Sequence, residues 1–391
     1  MSATAPEGER LAGFDGLRAV AAIAIVALHV TSATGAVSAT GLGRYFARLD
    51  VGVTIFFVIS AFLLYRPYVV SHLGGRPALP LGAYWWRRVL RIFPAYWVAL
   101  TAAIVFFGTT ALHGVWDYGR HYLLVQIYQP KYGLAGIVPT WTLAVELSFY
   151  AVLPVYAWVL RSITQRQPAA RRVTTELVAA AIVYAFGLAW HIGVVSSRGT
   201  DAVSARWLPA MSDWFALGIA LAVLRSGSEL SQSIDALRRT VDRYADLVVG
   251  LALVAFLAAG NIGLPVDGTS GTVRQDVGRE VLFGLVGALL VAPAALGREY
   301  RGVALRVLDC RPAVLVGTVS YGVFLWHYQW IAQVQEWGGF DWFRSARTLS
   351  VFVIVLALSL ATAAASWLIV ERPLLRYKNR VGGRPARVPA S

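Results

Sequence analysis

Two side chains able to move a proton or hold an anion stand in a run apolar enough to lie in lipid. In FDGLRAVAAIAIVALHV, residues 14–30, Arg18 is near the start and His29 near the end. A neutral imidazole can take an alcohol proton near pH 7, and a planar guanidinium can hold a phosphate or a carbonyl oxygen. The step of eleven residues between them is about three helical turns and about 16 Å of rise, so both share one face at different depths. Ionisable groups are costly in such a run unless they face a cavity or a partner, which makes both candidates for function.

Other groups can join them. Glu146, in PTWTLAVELSFY, falls at a depth similar to His29, and a carboxylate beside an imidazole fixes its tautomer; the alternative is a structural carboxylate paired to a neighbouring helix. Ser60 in VGVTIFFVISAFLL, Asp213, and Ser320, Tyr321 and His327 of SYGVFLWHYQW are candidates to line the same cavity, with packing or local capping as the plainer reading of each. In YWWRRVLRIFPAYW, Arg87, Arg88 and Arg91 occupy about one turn, which suits a phosphate-rich ligand or, equally, membrane anchoring beside an aromatic belt. His29, Glu146, Asp213 and His327 have the right atoms for a metal but no close ligand spacing, so no metal site is expected.

The chain that positions these groups is 57% hydrophobic and 14% charged over 391 residues, with mean hydropathy +0.60. That predicts an all-α, polytopic transmembrane helix bundle. Apolar runs place ten spans at 14–34, 50–68, 93–112, 137–160, 175–195, 207–224, 246–264, 281–297, 313–334 and 348–370. Segments on the side of the N-terminus then hold 24 Lys and Arg against 10 opposite, which puts both termini in the cytoplasm. The first run has an internal Arg and lacks a small-x-small cleavage site, so it reads as a retained span rather than a leader.

One membrane domain over 14–373 is expected, between a cytoplasmic tail at 1–13 and a basic, disordered cytoplasmic tail at 374–391. Residues 121–128 are too short to cross and read as a re-entrant or surface segment. The single cysteine, Cys310, excludes an internal disulfide, and the net charge of +14 is assigned to basic loops at lipid rather than to nucleic acid.

Several blocks in order resemble the family-3 membrane acyltransferases, which modify sugars, polysaccharides, lipids and macrolides. They are FDGLRAVAAIAIVALH, FFVISAFLL, RRVLRIFPAYW, PTWTLAVELSFY, SYGVFLWH and ERP at 371–373, spread over nearly the whole chain. Ala61 stands where the family usually has Gly, and Thr142 where it often has Ser. The resemblance implies a multi-pass protein of the bacterial plasma membrane. It would move an acyl group, usually acetyl, from acyl-CoA as donor substrate, with no bound cofactor, to a hydroxyl of a sugar, polysaccharide, lipid or macrolide. It further implies His29 as catalytic histidine, Arg18 as its partner, Glu146 as a further active-site residue and Arg87, Arg88 and Arg91 as the arginine block. The hydrolase-like domain attached to some members is missing from this sequence, so the resemblance implies the stand-alone form.

The competing class is a proton-coupled secondary transporter, with Arg18, His29, Glu146 and His327 as an ion path. It predicts inverted repeats and broken helices in matching halves, and the sequence displays neither.

Overall fold

Every long apolar run becomes a helix, as it must where lipid offers the backbone no hydrogen bonds. The computed structural model describes residues 11–74, 80–108, 112–129, 135–199, 203–266, 271–297, 302–342 and 346–381. The main helices are α1 (Phe14–Ala33), α2 (Val51–Gly74), α3 (Leu81–Val105), α4 (Trp141–Thr164), α5 (Ala169–Arg198), α6 (Leu208–Ser226), α7 (Gln232–Arg243), α8 (Ala245–Asn261), α9 (Val273–Leu296), α10 (Arg311–Glu336) and α11 (Arg347–Ser366). No strand occurs among the described residues.

Among the described residues, eight helices are long and apolar enough to cross a membrane: α1 to α6, α9 and α11. Each of the ten expected spans overlaps a helix, but two fall short of that standard on their own. The 17-residue α8 meets it only together with α7, from which it is bent by 81°. The other, α10, carries Ser320, Tyr321, His327, Tyr328 and Gln329, which lower its apolarity. Packing against α1 and α11 shelters that polar face from lipid.

The bundle has an inside and an outside. In their most apolar stretches α2 and α6 are 67% buried by protein, whereas α5 and α11 are only 22% buried and form the rim. Close crossings fix the centre. A Cβ on Gly317 of α10 would stand 1.9 Å from the carbonyl oxygen of Asp15, so only glycine lets α10 reach α1 at the level of Arg18. Gly218 of α6 meets the carbonyl of Val58 in the same way, with 2.3 Å to a built Cβ.

Two expectations change, and one segment left open gains a local structure. The third span, expected at 93–112, starts at Leu81, so the arginine block, read as about one helical turn at the cytoplasmic face, is part of that same long helix. Hydropathy hides that start, because charges turned toward a protein cavity count against a span although lipid never meets them. Residues 121–128 form the end of a short helix, Val115–Tyr122, and a 3₁₀ turn, Gln126–Tyr128. Of the tail expected to be disordered from 374, residues 374–381 form helix and turn, with the Trp86 indole donating to the Tyr377 carbonyl at 2.9 Å. The rest, like 1–10, lies outside the described residues.

Candidate active site

Side chains from α1, α2, α3, α4 and α10 enclose a cavity of about 120 Å³. Its polar lining is Arg18, Ser60, Arg88, Arg91, Glu146, Tyr150, Ser320 and Tyr321 among others, and Phe56, Phe57 and Phe324 supply apolar wall. Three guanidiniums against one carboxylate make it a cationic chamber. Glu146 is held by its own helix and by α2: the Tyr150 hydroxyl, one turn on, donates to Oε1 at 2.6 Å, and the Ser60 hydroxyl donates to the same oxygen. Arg18 reaches Asp15 at 3.4 Å, one turn back on α1.

The arginines of α3 are braced by aromatic rings. Arg88 lies over the Tyr150 ring at 5.9 Å, and Arg91 over Tyr321 at 5.8 Å and Trp367 at 5.9 Å. Arg91 also donates to Glu371 at 3.4 Å. A π-helical turn over Trp367–Glu371 brings both of those residues to it; such turns re-aim side chains and recur at functional sites. Tyr321 is fixed in turn by donating to the Ile92 carbonyl at 2.8 Å.

His29 stands apart from the cavity, half-buried, with Nδ1 at 2.9 Å from Nε2 of the wholly buried His327. The hydrogen-bond pattern fixes both tautomers. His327 Nδ1 faces the Val323 carbonyl at 3.2 Å, and a carbonyl only accepts, so Nδ1 carries the proton. In the neutral ring His327 Nε2 is then an acceptor, and His29 Nδ1 must donate to it. The lone pair of His29 is left on Nε2, turned away from its partner, as a general base requires. Tyr328 stands edge-on to the His29 ring at 5.5 Å and restricts its rotation. Phe324 joins the two regions: it lines the cavity, and its ring is 5.9 Å from His327 and 6.4 Å from Phe56.

The structure therefore brings Arg18, Ser60, Arg88, Arg91, Glu146, Ser320 and Tyr321 together and sets the histidines above them. It differs from the sequence reading in four places. Glu146 bonds Ser60 and Tyr150 rather than His29. His327 pairs with His29 instead of lining the cavity. Arg87 turns outward and donates to Asn379 at 3.5 Å. Asp213 is not a cavity residue: α6 carries it, fully buried, to the interface with α5 and α9, where Gly187 lets its backbone come close.

That interface holds its own polar network. The His191 ring and Asp276 meet at 2.8 Å, and Arg279 bonds Asp50 at 2.9 Å. Tyr150 and Phe324 were missed by sequence reasoning. The i,i+4 step from Glu146 was the available signal for Tyr150; Phe324 had none.

The model of the acyltransferase domain family Acyl_transf_3 matches residues 11–371. Peptidoglycan O-acetyltransferase OatA of Listeria monocytogenes is 24% identical over 80% of this chain and 48% of its own length. The putative peptidoglycan O-acetyltransferase YrhL of Bacillus subtilis is 24% identical over 93% of this chain and 54% of its own. O-acetyltransferase OatA of Staphylococcus aureus is 24% identical over 93% of this chain and 57% of its own. The chain thus spans about half the length of these curated relatives. No solved structure matches. With its motifs in order on one helical bundle and the match running over nearly its whole length, the chain belongs to the Acyl_transf_3 acyltransferase domain family.

Proposed function

We propose that this protein is a membrane O-acyltransferase that moves an acetyl group from acetyl-CoA to a hydroxyl of a saccharide acceptor. The observation that carries the reading is the placement on one helix of Arg18, in the cationic cavity, and His29, whose lone pair is directed outward from its partner. Relatives named for O-acetyl transfer to peptidoglycan support the saccharide as acceptor.

The donor's phosphates suit Arg18, Arg88 and Arg91, since guanidiniums match phosphate oxygens bidentately. From there the pantetheine arm must span about 16 Å along α1, the rise from Arg18 to His29, passing Phe324. At the far end His29 Nε2 takes the acceptor's hydroxyl proton while that oxygen attacks the thioester carbonyl. The carbon–sulfur bond breaks, and the imidazolium returns the proton to the leaving thiolate. The ester and free CoA leave, and the enzyme ends as it began.

Purified protein given radiolabelled acetyl-CoA and a panel of hydroxylated acceptors should label a saccharide. Label on none of them, with donor-independent movement of protons or solute in vesicles, would favour the transporter reading.

The donor site makes a finer prediction. Arg88→Gln and Arg91→Gln should each raise the KM for acetyl-CoA about ten- to a hundredfold and flatten its salt dependence, at about 1.5–3 kcal/mol per charge-assisted contact. Arg87→Gln should change it less, because that guanidinium points to Asn379. An unchanged donor response at all three positions would return the block to anchoring.

We also propose that both termini are cytoplasmic, on the 24-to-10 distribution of basic residues. In a Cys310→Ser background, single cysteines placed in 225–245 should be shielded from an impermeant reagent and those in 196–206 open to it. The reverse pattern sinks this orientation.

A further inference from the structure

A second recess, of about 280 Å³, opens between α2, α3 and α4. It lies at the end of the bundle opposite His29: Gly52, at the start of α2, packs on Ala21 and Ile25 of α1, so Tyr68 and Ser71 of α2 fall far below the histidines. Its floor is rigid, because His72 Nδ1 is 2.6 Å from Glu176 and the Tyr65 hydroxyl donates to the same carboxylate at 2.5 Å, all of them buried. Its outer wall is bare hydrocarbon and indole: Val155 is 60%, Trp158 68% and Leu81 56% exposed by the protein.

Two polar features are built into this apolar recess. Arg161 sets a cation in its lining, steadied by donating to Ser71 Oγ at 3.0 Å. Tyr68 is only 5% exposed, yet its hydroxyl has no hydrogen-bond partner among the described residues. A buried hydroxyl left unpaired costs about 1–3 kcal/mol, which an acceptor oxygen from a ligand would offset.

We propose that this recess binds the phosphate headgroup of an anionic membrane phospholipid. The phosphodiester takes hydrogen bonds from Arg161 and Tyr68, and an acyl chain lies along Val155 and Trp158. Charge and shape select this occupant. A zwitterionic lipid brings its own ammonium to its phosphate, so the Arg161 cation favours a headgroup of net negative charge, and a free anion has no use for the exposed apolar wall. Trp158 suits the boundary between headgroup and chain, where amphipathic rings collect. The site is separate from the cationic cavity and does not depend on the acyl-transfer reading.

The test is native mass spectrometry of the full chain released from nanodiscs made with equal phosphatidylglycerol and phosphatidylcholine. The parent should retain phosphatidylglycerol in preference, Arg161→Gln should lose about tenfold in retention, and Tyr68→Phe should lose several-fold. Arg239→Gln, an exposed cation on α7, should retain it as the parent does. Equal retention of both lipids, retention undiminished in Arg161→Gln, or displacement by inorganic phosphate or CoA would each overturn the proposal. Should Arg161→Gln fail to fold, Tyr68→Phe decides, since it removes only an oxygen that has no partner among the described residues; unchanged retention there would also overturn it.

Discussion

His29→Ala, with donor and acceptor saturating, should fold and retain its cavity while turnover falls about 10²–10⁴-fold, the range for loss of a positioned general base. An alcohol oxygen attacks a thioester slowly unless its proton is being removed, and His29 Nε2 is the nitrogen left free to do it once Nδ1 is committed to His327. His327→Ala should cost less, because it leaves the base but frees its tautomer and rotation. In His327→Gln the amide oxygen can accept from His29 Nδ1 and should restore part of the loss, a recovery that a merely space-filling His327 would not give. Turnover of His29→Ala within about threefold of the parent would exclude the histidine, below the range a base commands. The search would then move to Glu146, the carboxylate inside the cavity.

Arg18→Gln should lower kcat/KM for the donor about ten- to a hundredfold, the equivalent of one charge-assisted contact of about 1.5–3 kcal/mol. Arg18 shares the cavity with Arg88, Arg91 and Glu146 and bonds the half-buried Asp15 at 3.4 Å, so it can meet a phosphate oxygen without breaking a fully buried pair. Arg18→Lys should recover part of the loss, since an ammonium keeps the charge and gives up the planar fork. The check is initial rates over acetyl-CoA concentration at low and high salt. A loss confined to the acceptor's KM would place Arg18 with the acceptor instead.

The limits of the sequence are plainest at His29. Its period on α1 put it on one face with Arg18, three turns apart, and the structure keeps both on that helix. Depth counting let it meet Glu146, but depth says nothing about rotation about the helix axis. The bundle turns Glu146 toward Ser60 and gives His29 a partner 298 positions away in sequence. The same limit moved Asp213, whose depth was plausible and whose face of α6 looks at α5 and α9.

What the sequence determined by itself was local. Apolar runs fixed where helices form, because lipid leaves the backbone no other way to satisfy its hydrogen bonds. Helical period fixed which neighbours share a turn, so Arg88 and Arg91 of one block serve one cavity. The tertiary structure alone decided which faces meet. Rotation and axial offset are set by close crossings such as Gly317 on the Asp15 carbonyl and Gly218 on that of Val58. Those contacts join residues far apart in sequence, and nothing in the spacing of either partner encodes the other.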